Sequence, residues 1–305
     1  MRPKLTVLVP TFNEATNLPD CLASVKDFAD EILVVDSFST DRTVEIAKAA
    51  GARVLQHEYV NSAAQKNWSI PQCSHEWVFI IDADERLTPD LRAEIKALLE
   101  LPNGPDCDGY FIVRRNFFIG GEIRHGGWER NDVQRFFKRD LGRYAERDVH
   151  ADVVVKGRSR KLKAKLDHIT CPPTLEGLNR YFQRFNRYTT QAAERYHREG
   201  RKPYIWSFFL HPGWEFFKMY VLKLGFLDGI PGLAVCSFCS FTRFVRYVKL
   251  YARIRSGMPP PAAYDQGTTS AREIDGSADA RKKSDGKREQ AGVKDSATAG
   301  KAVIP

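Results

Sequence analysis

Asp82 and Asp84, separated by one alanine, follow the apolar run Trp77-Val78-Phe79-Ile80-Ile81. Two carboxylates this close repel each other and lose hydration unless a cation lies between them. The spacing therefore invites a divalent metal, Mg2+ or Mn2+, with phosphate oxygens completing its shell. The competing reading is a solvated turn whose acids precede a helix starting at Thr88 or Asp90. A short apolar run bounded by polar residues predicts a strand buried on both faces, as in the middle of a parallel sheet. The acidic pair then occupies the carboxyl edge of that sheet, where open α/β folds bind ligands.

The elements that must position the pair can be read from the residues before it. Strands are expected over 5–9, 31–35, 53–55 and 77–81, with helices over 14–28, 41–50 and 62–70 between them. Strands separated by helices of this length imply βαβ units and a mainly parallel sheet. Glu85 and Arg86 read as the start of the following helix. Three strands end in polar clusters: Pro10-Thr11-Phe12-Asn13-Glu14, Asp36-Ser37-Phe38-Ser39-Thr40-Asp41 and Asp82-Ala83-Asp84. Parallel strands share a direction, so all three clusters fall on one edge and predict a single ligand site.

The 305 residues, 43% of them apolar, suffice for a full α/β domain and an appendage. The net charge of +9 conceals an asymmetry: residues 1–112 hold 10 basic against 18 acidic groups, and residues 113–257 hold 29 against 13. A basic face of this kind meets nucleic acid or anionic lipid. The five residues Leu5 to Val9 before Pro10 are too few for a signal peptide's apolar region, which predicts a cytoplasmic N-terminus. The six cysteines lack the spacing and histidine neighbours of a zinc site and read as buried thiols in a reducing compartment.

Together, V-P-T-F-N-E at 9–14, V-D-S-F-S-T-D-R-T at 35–43 and D-A-D-E-R at 82–86 resemble the family 2 glycosyltransferases of the GT-A (nucleotide-diphospho-sugar transferase) fold. Further segments resemble the subgroup that includes lipopolysaccharide core glucosyltransferases: Asn61 to Trp68, Arg124-His125-Gly126-Gly127-Trp128, Gln134-Arg135-Phe136-Phe137, Arg147-Asp148-Val149-His150 and Gly225-Phe226-Leu227-Asp228-Gly229. The likeness covers about residues 4–255. It implies that Pro10, Thr11 and Glu14 wall the nucleobase and ribose, that Asp36 accepts hydrogen bonds from them, and that Lys66 reaches the diphosphate. It also implies that Asp84 binds the metal directly, with Asp82 on ribose, metal or metal-bound water, and that Gly127, Trp128 and Arg135 belong to an acceptor loop. The reaction implied is inverting transfer from a nucleotide-diphosphate sugar, a UDP-sugar first, to a lipid-linked or lipopolysaccharide-like saccharide.

Such a transfer needs a general base within hydrogen-bond reach of the acceptor hydroxyl. The subgroup reads V-H-E where this chain has Val149-His150-Ala151-Asp152, and Ala151 cannot take a proton. The candidates are Asp148, Asp152 and His150, in that order, with Glu146, Glu129 and Asp132 nearby.

From about Thr174 onward, Leu178, Tyr181, Phe182, Phe185, Tyr188 and Thr189 recur at helical spacing among arginines, as in an amphipathic helix packed on the catalytic part. The uncharged runs 204–214 (apart from its histidine) and 229–242 are shorter than the roughly 18–20 residues that cross a bilayer. Their basic flanks predict a helix lying on the anionic inner face of the cytoplasmic membrane. No nucleic-acid-binding motif accompanies the charge, which argues against that partner. The expected organisation is a catalytic domain over 1–170, with donor and acceptor halves meeting near residue 112, a membrane-associating helical region over 171–257, and a disordered tail over 258–305. The rival functions are a polyprenyl-phosphate sugar synthase, a sugar nucleotidyltransferase and a degenerate membrane-bound binding protein. The nucleotidyltransferase wants a glycine-rich loop that 10–14 lacks.

Overall fold

The computed structural model describes residues 2–128, 132–145, 153–257 and 259. In chain order the elements are β1 (Leu5–Thr11), α1 (Leu18–Val25), β2 (Glu31–Asp36), α2 (Thr43–Ala49), β3 (Arg53–Gln56), α3 (Ser62–Ser69), β4 (Trp77–Ile80), β5 (Glu85–Arg86) and α4 (Pro89–Leu99). There follow β6 (Gly109–Phe118), β7 (Gly121–Ile123), β8 (Asp132–Lys138), β9 (Gly142–Tyr144), β10 (Val153–Val155), β11 (Ser159–Cys171), α5 (Leu175–Arg198), α6 (Leu210–Phe217) and α7 (Gly229–Arg255).

The main sheet runs β3-β2-β1-β4-β8-β6-β11-β5, with β7 added to β6. Its first four strands are parallel, as the alternation of strands and helices requires. Beyond β4 the pairing is mixed: β8 is antiparallel to both neighbours, whereas β6 and β11 are parallel. Successive side chains leave a strand on opposite faces, and both faces here are apolar. Leu5, Val7 and Val9 pack with Trp77, Phe79 and Ile81 against α1 and α4, while Leu8, Val78 and Ile80 pack with Leu33, Val35 and Ala63 on the other side. Pro10 fits at the end of β1 because β4 stops pairing at Leu8, so its missing N–H breaks no bond on that side.

Two boundaries differ from the sequence expectation. The helix expected from Glu14 starts at Leu18, because Asn13 is left-handed (φ 55°) and residues 12–17 form a loop. Glu85 and Arg86 do not begin a helix; they pair antiparallel with His168 and Asp167 of β11. The helix waits for the Thr88 side chain, which accepts from Leu91 N at 3.2 Å, with Pro89 in its first turn.

After β11, α5, α6 and α7 cover the far end of the sheet. Phe118 of β6, Ile123 of β7 and Cys171 of β11 pack with Met219, Val235 and Cys236, fixing α7 to the sheet. The helix is longer than the apolar run that suggested it: 27 residues without interruption. The segment Gly225–Arg255 is long and apolar enough to cross a membrane by length and composition, and only 22% of its most apolar window is buried. Residues 260–305 lie outside the described residues, and with them nearly all of the expected disordered tail.

Candidate active site

The polar ends of β1 and β2 are cross-linked. Thr11 Oγ1 donates to Asp36 Oδ1 at 3.1 Å, Asn13 N to Ser39 Oγ at 2.8 Å, and Thr40 N back to Asn13 Oδ1 at 2.8 Å. Glu14 N donates to Thr43 Oγ1 at 2.8 Å. Asp36, expected to meet the ligand, is fully buried and accepts from Thr11, Ser39 N and Oγ, and Gln56 Nε2. Its carboxylate organises the two loops, leaving Pro10 and the half-exposed rings of Phe12 and Phe38 at their rim. Glu14 is held by Asn17 Nδ2 at 2.8 Å. Its carboxyl is pushed up, chiefly by burial and further by the charge of Asp84.

The third strand end meets a cluster of cations. Asp82 Oδ1 lies 2.9 Å from Lys66 Nζ of α3, and Asp82 Oδ2 accepts from Arg135 Nη2 of β8. Arg135 also donates to Glu85 Oε1 at 3.0 Å and to Tyr144 Oη at 3.3 Å. Glu85 is wholly buried, also faces Arg114 at 3.4 Å, and accepts from Asp82 N at 2.9 Å. Burial alone would raise the Asp82 carboxyl, but Arg135 and Lys66 outweigh it and hold it well below the usual carboxylate range. Two expectations change here. Arg135 belongs to no acceptor loop, since β8 carries it into the interior beneath Asp82. Lys66 is buried and already balanced by Asp82.

Asp84 is placed differently. His168 Nε2 of β11 lies 3.6 Å from Asp84 Oδ2, and Arg184 Nη1 of α5 lies 3.3 Å from the same oxygen. Burial would raise the Asp84 carboxyl, but the His168 ring and Arg184 bring it below its ordinary value. The orientation of His168 is set from behind. Asn116 Nδ2 donates to Trp128 O at 3.0 Å, which turns Asn116 Oδ1 toward His168 Nδ1 at 2.8 Å. The Nδ1 nitrogen therefore carries hydrogen, and in the neutral ring the Nε2 lone pair faces Asp84. The imidazole nitrogen and the carboxylate thus converge on one point, an arrangement able to hold a cation.

The expected acceptor loop is anchored where it is described. Arg124 N and His125 N donate to Asp228 Oδ2 at 3.0 and 2.9 Å, and His125 Nδ1 meets Asp228 Oδ1 at 2.7 Å. The two glycine-containing segments that looked separate in sequence are thus one unit. Gly126 and Gly127 have φ of 74° and 94°, a backbone that favours glycine. Asp148, Asp152 and His150, with Glu146 and Glu129, lie outside the described residues; Asp132 is exposed and paired with Lys161 Nζ at 2.8 Å.

A cavity of about 560 Å3 opens from Asp84 and His168 between Gly126, Gly127 and Trp128 on one side and residues of α5, α6 and α7 on the other. Sequence reasoning missed His168, Glu85 and Arg184. For His168 a signal existed: Lys161, Lys163 and Lys165 alternate with Leu162, Ala164 and Leu166, and that period places His168 on the inward face.

The sequence profile of glycosyl transferase family 2 matches residues 6–157. The lipopolysaccharide core biosynthesis glycosyltransferase LpsC of Rhizobium meliloti (strain 1021) is 30% identical over 240 residues, covering 75% of this chain and 84% of that one. The chain belongs to glycosyltransferase family 2. An uncharacterized glycosyltransferase of Rickettsia prowazekii (strain Madrid E) is 27% identical over 234 residues, 75% of this chain and 80% of its own. Among solved structures, glucosyl-3-phosphoglycerate synthase from Mycobacterium tuberculosis, in complex with Mn2+, uridine diphosphate and glucosyl-3-phosphoglycerate, matches 46% of this chain and 58% of that chain. That likeness has a TM-score of 0.33 at 21% identity. The protein is thus a glycosyltransferase with a GT-A-type sheet, on which the polar ends of β1, β2 and β4 share one edge.

Proposed function

We propose that this family 2 enzyme transfers a sugar, with inversion, from a nucleotide-diphosphate donor to a lipid-linked or lipopolysaccharide-core-like acceptor. The observation that carries this reading is the Asp84–His168 pair at the mouth of the cavity, 3.6 Å apart with both acceptors converging. Carboxylate and imidazole suit Mn2+ or Mg2+, with diphosphate oxygens completing the shell. A metal ion held there would supply compensation for the charge that develops on the departing nucleoside diphosphate. Asp84 and His168 Nε2 would hold it, with Asn116 orienting the imidazole through its Nδ1. Asp82 supports the site from the buried side through Lys66 and Arg135. Pro10, Thr11 and Glu14 flank the nucleoside, and a UDP-sugar is the donor that the family resemblance implies. LpsC, the relative named for lipopolysaccharide core biosynthesis, supports the acceptor class.

The division of labour follows the chain in outline: donor recognition before residue 112, joined by His168 at the metal, acceptor recognition from residue 113 onward, and membrane contact within 171–257. The base is assigned to Asp148, Asp152 or His150; Asp148→Asn, Asp152→Asn and His150→Ala are compared by turnover, and near wild-type rates in all three would place it elsewhere. A panel of nucleotide sugars with Mn2+ or Mg2+, scored by thermal stabilisation and slow hydrolysis, tests the reading. A response to no donor sinks it. Product analysis separates it from polyprenyl-phosphate sugar synthesis.

Membrane attachment rests on large apolar side chains that the described residues leave mostly exposed. Trp206, Phe209, Leu210 and Trp214 are 58–67% exposed, and Ile230 is 80% exposed. Large rings and aliphatic groups beside cations are what a lipid interface accepts. Full-length protein is expected to float with anionic liposomes, and a triple Trp206→Ser, Phe209→Ser, Trp214→Ser variant to lose about tenfold or more of that binding, given roughly 1.5–3 kcal/mol for burying a large apolar side chain. Equal flotation of the two proteins refutes the attachment.

A further inference from the structure

The cavity that begins at Asp84 and His168 changes character away from them. Its helical wall brings Lys223, Arg243 and Arg246 to the same space as Arg184, so among the described residues four cations face two carboxylates, Asp84 and Glu215. Both acids are already engaged: Asp84 by Arg184 at 3.3 Å, and Glu215 by Lys218 at 2.9 Å and Arg243 at 3.2 Å. Lys223 and Arg246 have no carboxylate partner among the described residues, and the buried Nε of Arg246 has no acceptor. Lys223 is exposed, but its place beside the glycine pair is fixed. Its carbonyl accepts from Gly126 N at 2.9 Å, and its Nζ lies so close to Gly127 that a Cβ there would stand 2.5 Å away. The wall also carries four aromatic rings, Trp128, Tyr181, Phe185 and Tyr188.

Cations gathered without carboxylate partners repel one another, and the unmet buried Nε of Arg246 costs free energy. A ligand with an anionic group reverses both effects, and aromatic walls suit the apolar faces of sugar rings. We infer that the acceptor is an acidic saccharide whose carboxylate or phosphate group is seated by Lys223 and Arg246, with its sugar ring against the aromatic wall. This rests on the transferase reading and narrows its acceptor: a neutral saccharide leaves both cations unmet.

The test uses full-length protein and four soluble probes: inorganic phosphate, glucose 6-phosphate, glucuronate and glucose. Each is titrated with and without UDP and Mn2+, and binding is followed by thermal stabilisation. The three anions are expected to stabilise the protein on top of UDP–Mn2+, and glucose is not. Lys223→Gln and Arg246→Gln should each weaken the anion response about tenfold, whereas Arg187→Gln, on an exposed stretch of α5, should not. Competition between the anions and UDP would assign these cations to the donor diphosphate and overturn the inference. Equal anion responses in the wild type and both variants would overturn it too. Vesicles of phosphatidylglycerol form a separate arm: if the variants lose vesicle binding but keep the saccharide response, the pair serves a headgroup and the inference fails. Absence of any UDP–Mn2+ effect would strike the donor reading alone, because the anion titration without nucleotide is read independently.

Discussion

Asp84→Ala is expected to reduce sugar transfer by about three orders of magnitude while leaving a folded protein, because a pre-positioned group that stabilises developing charge is worth roughly 10²–10³ or more in rate. The fold should survive because the neighbours keep other partners. Arg184 Nη2 still donates to Thr170 O at 2.6 Å, and His168 Nδ1 still meets Asn116 at 2.8 Å. Asp84→Asn sharpens the experiment: it preserves shape and removes only the charge, so comparable loss in the two variants identifies charge as the contribution. Asn116→Ala should lower metal affinity by about 10–100-fold, the usual effect of releasing a ligating histidine from its outer partner. The measurements are kcat for transfer and the thermal shift produced by Mn2+ with UDP. A full Mn2+ response in Asp84→Ala would remove the pair from the metal site.

The strand ends were legible because they rest on local chemistry. Aliphatic and aromatic runs such as Trp77–Ile80 form strands wherever they are buried on two faces, and three such runs in parallel bring their polar ends to one edge. What each polar residue does there was less legible. Thr11 binds Asp36, Asn13 binds Ser39 and Glu14 binds Thr43 across 25 or more positions, so the polar strand ends also hold the loops in place. The second half of the site depends on pairings with no local signature. Glu85 meets Arg135 across 50 positions, and Asp84 meets Arg184 across 100. Nothing in a helix with arginines at amphipathic spacing says which of them points at a carboxylate on another element. The Val149-His150-Ala151-Asp152 segment, where the sequence departs from its relatives, falls outside the described residues.

Arg135→Ala should be the most destabilising single change at the site. The guanidinium is 5% exposed and joins Asp82 to Glu85, whose side chain is 0% exposed. Truncation leaves Glu85 with Arg114 at 3.4 Å and Asp82 with Lys66 at 2.9 Å, and opens a space beneath both. Breaking a buried ion pair from one side costs about 3–5 kcal/mol, a large part of the roughly 5–15 kcal/mol that holds a domain folded. Urea unfolding at neutral pH should show this as a lowered midpoint with an unchanged slope. Adding Glu85→Gln to Arg135→Ala should recover part of the loss, because the second change removes the charge that the first stranded. The sign of the pH dependence is fixed by Asp82, whose carboxyl lies below its ordinary value when folded. Such a group contributes stability that is complete above the unfolded pKa of about 4 and is lost as pH falls through the lowered folded value. The alanine variant lacks most of that contribution, so the gap between the two proteins should be widest above about pH 5 and close as the solution is acidified below about pH 4. A gap that stayed constant down to acid pH, or a neutral-pH cost below about 1 kcal/mol, would show that Arg135 acts by packing rather than by charge.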